Sequence, residues 1–164
     1  MKKFSLLIIC LFAFTSIVSA APKFGLTIAQ ADGIGVYVVH PHFNGSLTLD
    51  STNNDATLET TYTDMVVAVK LKRYLNPLTE ATLGVRYHNR TGKESGTDYE
   101  TDNDIGLTLG IVRTIMPNLL FTMETNIVTV SNFQWDGGEE TSTTSIAQIS
   151  NGLDDIRMGI VHLF

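Results

Sequence analysis

The chain has a single cysteine in 164 residues, and that residue, Cys10, falls in the first 20. Beyond it, disulfides and thiolate-ligated zinc are excluded, because both need thiols that are not there. Proline is scarce, at four. Charge is scarce as well, at 17% of residues, against about 25% in ordinary soluble domains. Lys and Arg are outnumbered by Asp and Glu, 11 to 17, for a formal charge of −6. The basic footprint of a nucleic-acid binder is therefore missing, and no nucleic-acid partner is expected. Past residue 20 no apolar run approaches the roughly 20 residues that a spanning helix needs. No segment repeats its apolar positions at helical spacing either.

What is present begins with an export signal. Lys2 and Lys3 form a positive start, Phe4 to Phe14 an apolar stretch, and Val18-Ser19-Ala20 a small-residue cleavage site. Residues 1–20 are expected to be a Sec signal peptide, cleaved after Ala20, with 21–164 as the folded domain. Cys10 lies inside the apolar stretch, which argues against a lipoprotein cysteine. The remaining 144 residues keep 9 Lys and Arg against 17 acidic residues, so the charge becomes −8.

In 21–164 the apolar residues repeat every second position. Ile105, Leu107, Leu109 and Ile111 alternate with Gly106, Thr108 and Gly110. Leu83, Val85 and Tyr87 alternate with Gly84, Arg86 and His88, and Ile156, Met158 and Ile160 with Arg157 and Gly159. Such alternation predicts strands with one apolar and one polar face. The spacing predicts eight, over about 23–30, 33–40, 43–50, 62–74, 79–90, 104–115, 119–134 and 153–164. The first hairpin, turning near Ala31-Asp32-Gly33, is the least sharply marked.

Pro41, Pro77 and Pro117 each interrupt two strand patterns within a very short break, and proline cannot donate to a ladder. They mark tight turns at one end. Long polar stretches, Ser51 to Thr61, Thr91 to Asn103 and Asp136 to about Asn151, are expected as loops at the other. Within the last, Thr141 to Ser145 reads as a mobile segment.

A soluble sandwich or lipocalin-like barrel shares this period. Two features favour a barrel facing lipid. The faces opposite the apolar stripes hold Lys70, Lys72, Arg86, Thr122, Glu124, Asn126 and Arg157, and the strands reach the roughly 9–11 residues that cross a bilayer at a tilt. Closure also removes the unpaired edges that hydrocarbon would penalise. Aromatics fit two belts, with Phe24, Phe43, Tyr74, Phe121 and Phe164 toward the turns and Tyr62, Tyr87, Phe133 and Trp135 toward the loops.

The last nine residues, Ile156 to Phe164, place Ile156, Met158, Ile160 and Phe164 in one register. This segment resembles the C-terminal strand of bacterial outer-membrane β-barrel proteins, which the barrel-assembly machinery recognises. That family usually has an aromatic or apolar residue third from the end, where this chain has His162. In architecture the whole domain resembles the small outer-membrane proteins of the A, X and W types. The resemblance implies an all-β, closed antiparallel transmembrane barrel in the outer membrane of a Gram-negative cell. Short periplasmic turns and longer extracellular loops would connect its strands. It implies a structural, surface-interaction or adhesion role, and for the W type passage of small hydrophobic molecules. Outer-membrane lipid and lipopolysaccharide are the implied surroundings.

Eight strands enclose barely enough room for their own side chains, so no open aqueous pore is expected. Lys70, Arg86, Glu124 and Arg157 fall at similar heights on the inner face. An isolated interior charge is costly, so Glu124 is expected to pair with at least one of the three cations. A polar conduit or gating pair is the functional alternative. His40, His42, His88 and His162 show no carboxylate or cysteine at ligand spacing, so no metal site is expected. Small outer-membrane barrels include lipid A deacylases and palmitoyltransferases that use His and Ser. Here His88-Asn89-Arg90-Thr91 lacks a serine two residues after the histidine, and Ser131 and Ser150 have no histidine near in sequence, so catalysis is not expected. Acidic residues concentrate in the expected loops, at Asp98, Glu100, Asp102 and Asp104 and at Glu139 and Glu140. They would solvate an exposed surface or bridge divalent cations to lipopolysaccharide phosphates.

Overall fold

The computed structural model describes residues 21–30, 32–54, 60–94, 97–135, 138, 141–146 and 156–164. Residues 1–20, expected as a signal peptide, and Glu139 and Glu140 lie outside the described residues. The strands are β1 (Lys23–Ala29), β2 (Gly33–Val39), β3 (Phe43–Asn54), β4 (Thr60–Asn76), β5 (Thr79–Glu94), β6 (Thr97–Met116), β7 (Leu119–Trp135), β8 (Thr141–Ile146) and β9 (Ile156–Leu163). Each of β1 to β7 pairs antiparallel with the next in sequence. β9 then closes the cylinder between β7 and β1. The result is a closed eight-stranded antiparallel barrel with β8 as an added strand.

The turns at Pro41, Pro77 and Pro117 lie at one end, together with the start of β1 and the end of β9. There the Phe164 amide donates to the Phe24 carbonyl at 3.0 Å, and the Leu163 amide donates to the Asn118 carbonyl at 2.8 Å. At the other end the wall is uneven. β1 and β2 hold 7 residues each, while β4 to β7 hold 17, 16, 20 and 17. One side of the cylinder therefore rises well above the first hairpin. That hairpin turns at Gly33, whose φ of 80° lies in the left-handed region that glycine occupies without strain.

The expected long loops are corrected in part. β3 continues to Asn54 and β4 begins at Thr60, so most of Ser51 to Thr61 is paired strand. Likewise β5 runs to Glu94 and β6 starts at Thr97, which places Asp98, Glu100, Asp102 and Asp104 in a ladder, not a loop. Thr141 to Ser145, expected as a mobile segment, belongs to β8, paired with Val128 to Phe133 of β7. The physical reason is common to all three. Above the apolar band both faces of a strand meet polar surroundings, so the alternation that marks a strand vanishes while backbone pairing goes on.

Polarity across the wall is inverted relative to a soluble barrel. Facing outward, Leu71 is 68% exposed and Ile28 and Ile34 are 63% exposed. Leu26, Leu49, Val85, Ile105 and Ile160 are exposed as well. On the inside, Lys70, Arg86, Thr27, Asn44 and Thr108 are buried. Exposed aliphatics against buried cations and hydroxyls reverse the usual partition of residue types. They match the lipid-out, polar-in pattern of membrane barrels.

Candidate functional site

The lumen is filled in layers. Nearest the turns, Tyr37, Val112, Leu120, Val161 and Leu163 form a buried apolar cluster, with Val39 against it. Beside it Lys72 Nζ donates to Glu80 Oε1 at 2.9 Å, and Asn44 Nδ2 donates to Glu80 Oε2 at 3.3 Å. This end of the barrel is closed by side chains.

The next layer is a charge cluster. Lys70 on β4 pairs directly with Glu124 on β7, and both side chains are almost fully buried. Arg157 on β9 brings Nε to 3.7 Å from Glu124 Oε1 and 4.0 Å from Asp32 Oδ2. Its Nη2 donates to Asn126 Oδ1 at 2.7 Å. Arg86 on β5 does not reach Glu124 in the described contacts and takes Asp32 instead, donating from Nη2 at 2.6 Å. Four of these charged groups, Lys70, Arg86, Glu124 and Arg157, are legible as inward residues in the sequence. The fifth is not: Asp32 sits in the turn of the first hairpin, which is short enough to lay its carboxylate, 6% exposed, across the two arginines.

Small residues make room for this layer. A Cβ at Gly84 would stand 2.2 Å from the Val69 carbonyl oxygen and 2.8 Å from Lys70 Cγ. One at Gly110 would stand 3.0 Å from Glu124 Cβ. The wall opposite each long side chain is therefore bare backbone. The cluster also leaves a cavity of about 20 Å³ lined by Thr27, Thr48, Tyr37, Lys70, Glu124 and Arg157. That is water-sized and polar.

Above it, His88 joins three strands. Its Nε2 is 2.7 Å from Asp64 Oδ1 on β4, and its Nδ1 is 3.3 Å from Asp104 Oδ2 on β6. No carboxylate lies at ligand spacing from His88 in the sequence, yet the ladder brings two to its ring, because register puts Val66, His88 and Asp104 abreast. Ser131 stands opposite Asp104 on β7. Both ring nitrogens of His88 face carboxylates.

Higher still, Arg90 lies 4.2 Å over the ring of Tyr62, a cation–π contact on the inner face. Tyr62, expected in an outer aromatic belt, thus turns inward with Asp64. Burial and the adjacent Asp104 carboxylate hold the Asp102 carboxyl above its ordinary range. On the outer face Tyr87 donates to Asn103 Oδ1 at 2.8 Å, and Asn89 donates to the same atom at 2.9 Å. Of the other predicted residues, Met158, Ile160 and Phe164 are exposed on the outer face of the last strand, and Ile156 is half-buried. His162 is exposed, and its Nε2 lies 3.2 Å from Asn118 Nδ2. His40 stacks on Phe43, with ring centroids 4.6 Å apart.

Among the described residues no group of three or more His, Cys, Asp or Glu is arranged to hold a metal ion. The arrangement as a whole binds charges to one another. Each inward cation of the middle layer has a carboxylate within reach, so the lumen carries paired charge.

No family model matches the chain, and no curated protein matches it. Solved structures with a similar shape include a major outer membrane protein from Thermus thermophilus. It is 15% identical with a TM-score of 0.46, covering 88% of this chain and all of that one. Another is Ail, the attachment invasion locus protein of Yersinia pestis, 10% identical with a TM-score of 0.40, covering 87% and 91%. The closed, inside-out barrel itself is the architecture of small outer-membrane β-barrel proteins.

Proposed function

We propose that the protein is an integral outer-membrane barrel with a structural or surface-interaction role and no open aqueous pore. The observation that carries this reading is the inverted wall. An outward face with Leu71, Ile28 and Ile34 each more than 60% exposed would be an aggregation surface in water. In a bilayer it meets acyl chains at no cost. The lumen supports the second half, since it is closed near the turns by Tyr37, Leu120, Val161 and Leu163 and crossed by paired charges above. Buried ions and hydroxyls of this kind do not favour the passage of small hydrophobic molecules. The polar upper walls of β4 to β7 would stand beyond the membrane. Ile156 to Phe164 would serve as the segment read by the barrel-assembly machinery, and residues 1–20 as the export signal.

Expression in a Gram-negative host tests the reading. The protein is expected in the outer-membrane fraction, with a heat-modifiable gel shift and no steady conductance in planar bilayers. Recovery in the soluble periplasmic fraction would overturn the membrane assignment. A stable ohmic conductance would overturn the closed lumen.

A further inference from the structure

We propose that the turn end of the barrel carries a binding site for an anionic phospholipid, formed by Arg73 and Arg113 on the outer face. The site rests on the membrane reading above, which puts this end at a phospholipid leaflet. Both arginines are exposed. Each lies three residues from the turn end of its strand, Arg73 in β4 ending at Asn76 and Arg113 in β6 ending at Met116. Both therefore stand at the turn end of the wall, with only β5 between them and Arg113 two residues nearer the turn along the ladder. Two strand spacings and that two-residue offset separate them by roughly 12 Å. The outward residue of β5 in that gap is Ala81, opposite Arg73, while Thr79, opposite Arg113, is buried. Neither is bulky enough to keep two long guanidinium side chains apart.

The chemistry of the partner follows from what surrounds the pair. Glu80, the carboxylate of this region, points inward to Lys72 and Asn44. Among the described residues neither Arg73 nor Arg113 has a carboxylate partner. Immediately above, Leu71, Leu83 and Leu109 are 68%, 48% and 48% exposed. A ligand that fits has an anion at the level of the arginines and apolar chains running up the wall. Guanidinium groups suit phosphate oxygens through paired donors. A net-negative headgroup is preferred to a zwitterionic one, because the latter brings its own ammonium.

The test uses the full barrel in nanodiscs of phosphatidylethanolamine, alone or with phosphatidylglycerol, with retained lipid counted by native mass spectrometry. The parent is expected to retain phosphatidylglycerol over phosphatidylethanolamine. The Arg73→Gln/Arg113→Gln variant is expected to lose that preference on the order of thirtyfold, from two cations near an anionic surface. Lys93→Gln, at the opposite end, is expected to behave as the parent. Unchanged retention in the double variant, or an equal loss in Lys93→Gln, would overturn the site. Inorganic phosphate is expected to leave the lipid in place, and displacement by it would overturn the assignment to lipid. A gel-shift control on the same discs separates the two readings. A parent that does not insert overturns the membrane reading and this site with it, whereas an inserted parent without preference overturns the site alone.

Discussion

Replacing Glu124 with Gln leaves the middle of the barrel with more positive charge than it can balance. In the intact layer Lys70, Arg86 and Arg157 face Glu124 and Asp32. Without Glu124, three cations share one carboxylate, and Lys70 loses its direct partner while almost fully buried. The Arg157 contact alone, at 3.7 Å, is worth about 4 kcal/mol at an effective dielectric of about 20. Part of that is returned by the remaining Gln dipole. Removing one member of a buried pair typically costs about 3–5 kcal/mol, and that range is expected for Glu124→Gln. Removing both members costs far less, because no uncompensated charge remains. Lys70→Met combined with Glu124→Gln is thus expected to recover most of the loss. The assay is urea unfolding in detergent micelles, read as the heat-modifiable folded fraction. A Glu124→Gln loss below about 0.5 kcal/mol, or a double variant whose loss equals the sum of the singles, would refute the pairing argument.

Asp32→Asn removes the carboxylate shared by Arg86 and Arg157 and is expected to cost about 3 kcal/mol in the same assay, with Arg86→Met restoring part of it. Gly84→Ala places a methyl 2.2 Å from a backbone oxygen and is expected to destabilise by about 1–3 kcal/mol. Gly45→Ala, where the nearest atom is 3.8 Å away, should be close to neutral by the same measurement. Asp102 predicts a pH dependence. Its carboxyl is held above the ordinary range in the folded barrel by burial and Asp104, so ionisation is penalised in the folded state. That penalty is absent below the unfolded carboxyl value of about 3.9 and present once pH exceeds the folded value. Asp102→Asn is therefore expected to raise the urea midpoint at pH 7 and leave it unchanged near pH ~3.5, below that unfolded value. A gain of equal size at both values would contradict the assignment.

The alternation between Leu83 and Tyr87, or between Ile105 and Ile111, is enough to predict strands and to assign their faces. It works because these segments lie where one side meets apolar surroundings and the other a polar lumen. Higher up, Glu100 to Asn103 and Thr141 to Ser145 have polar neighbours on both sides. There the periodic signal disappears and paired strand reads as loop. The inward charges Lys70, Arg86, Glu124 and Arg157 are legible by the same alternation, since a period of two places them without knowledge of the pairing.

Sequence by itself determined the all-β character, the short proline turns and the two-faced wall, because each depends on residues one or two positions apart. Only the tertiary structure decided who pairs with whom. Asp32 meets Arg86 across 54 positions, and His88 joins Asp64 to Asp104. Closure through β9 sets Arg157 beside Glu124. These contacts follow from ladder register and from the shortness of the first hairpin. Both are properties of the closed cylinder that no local run of residues contains.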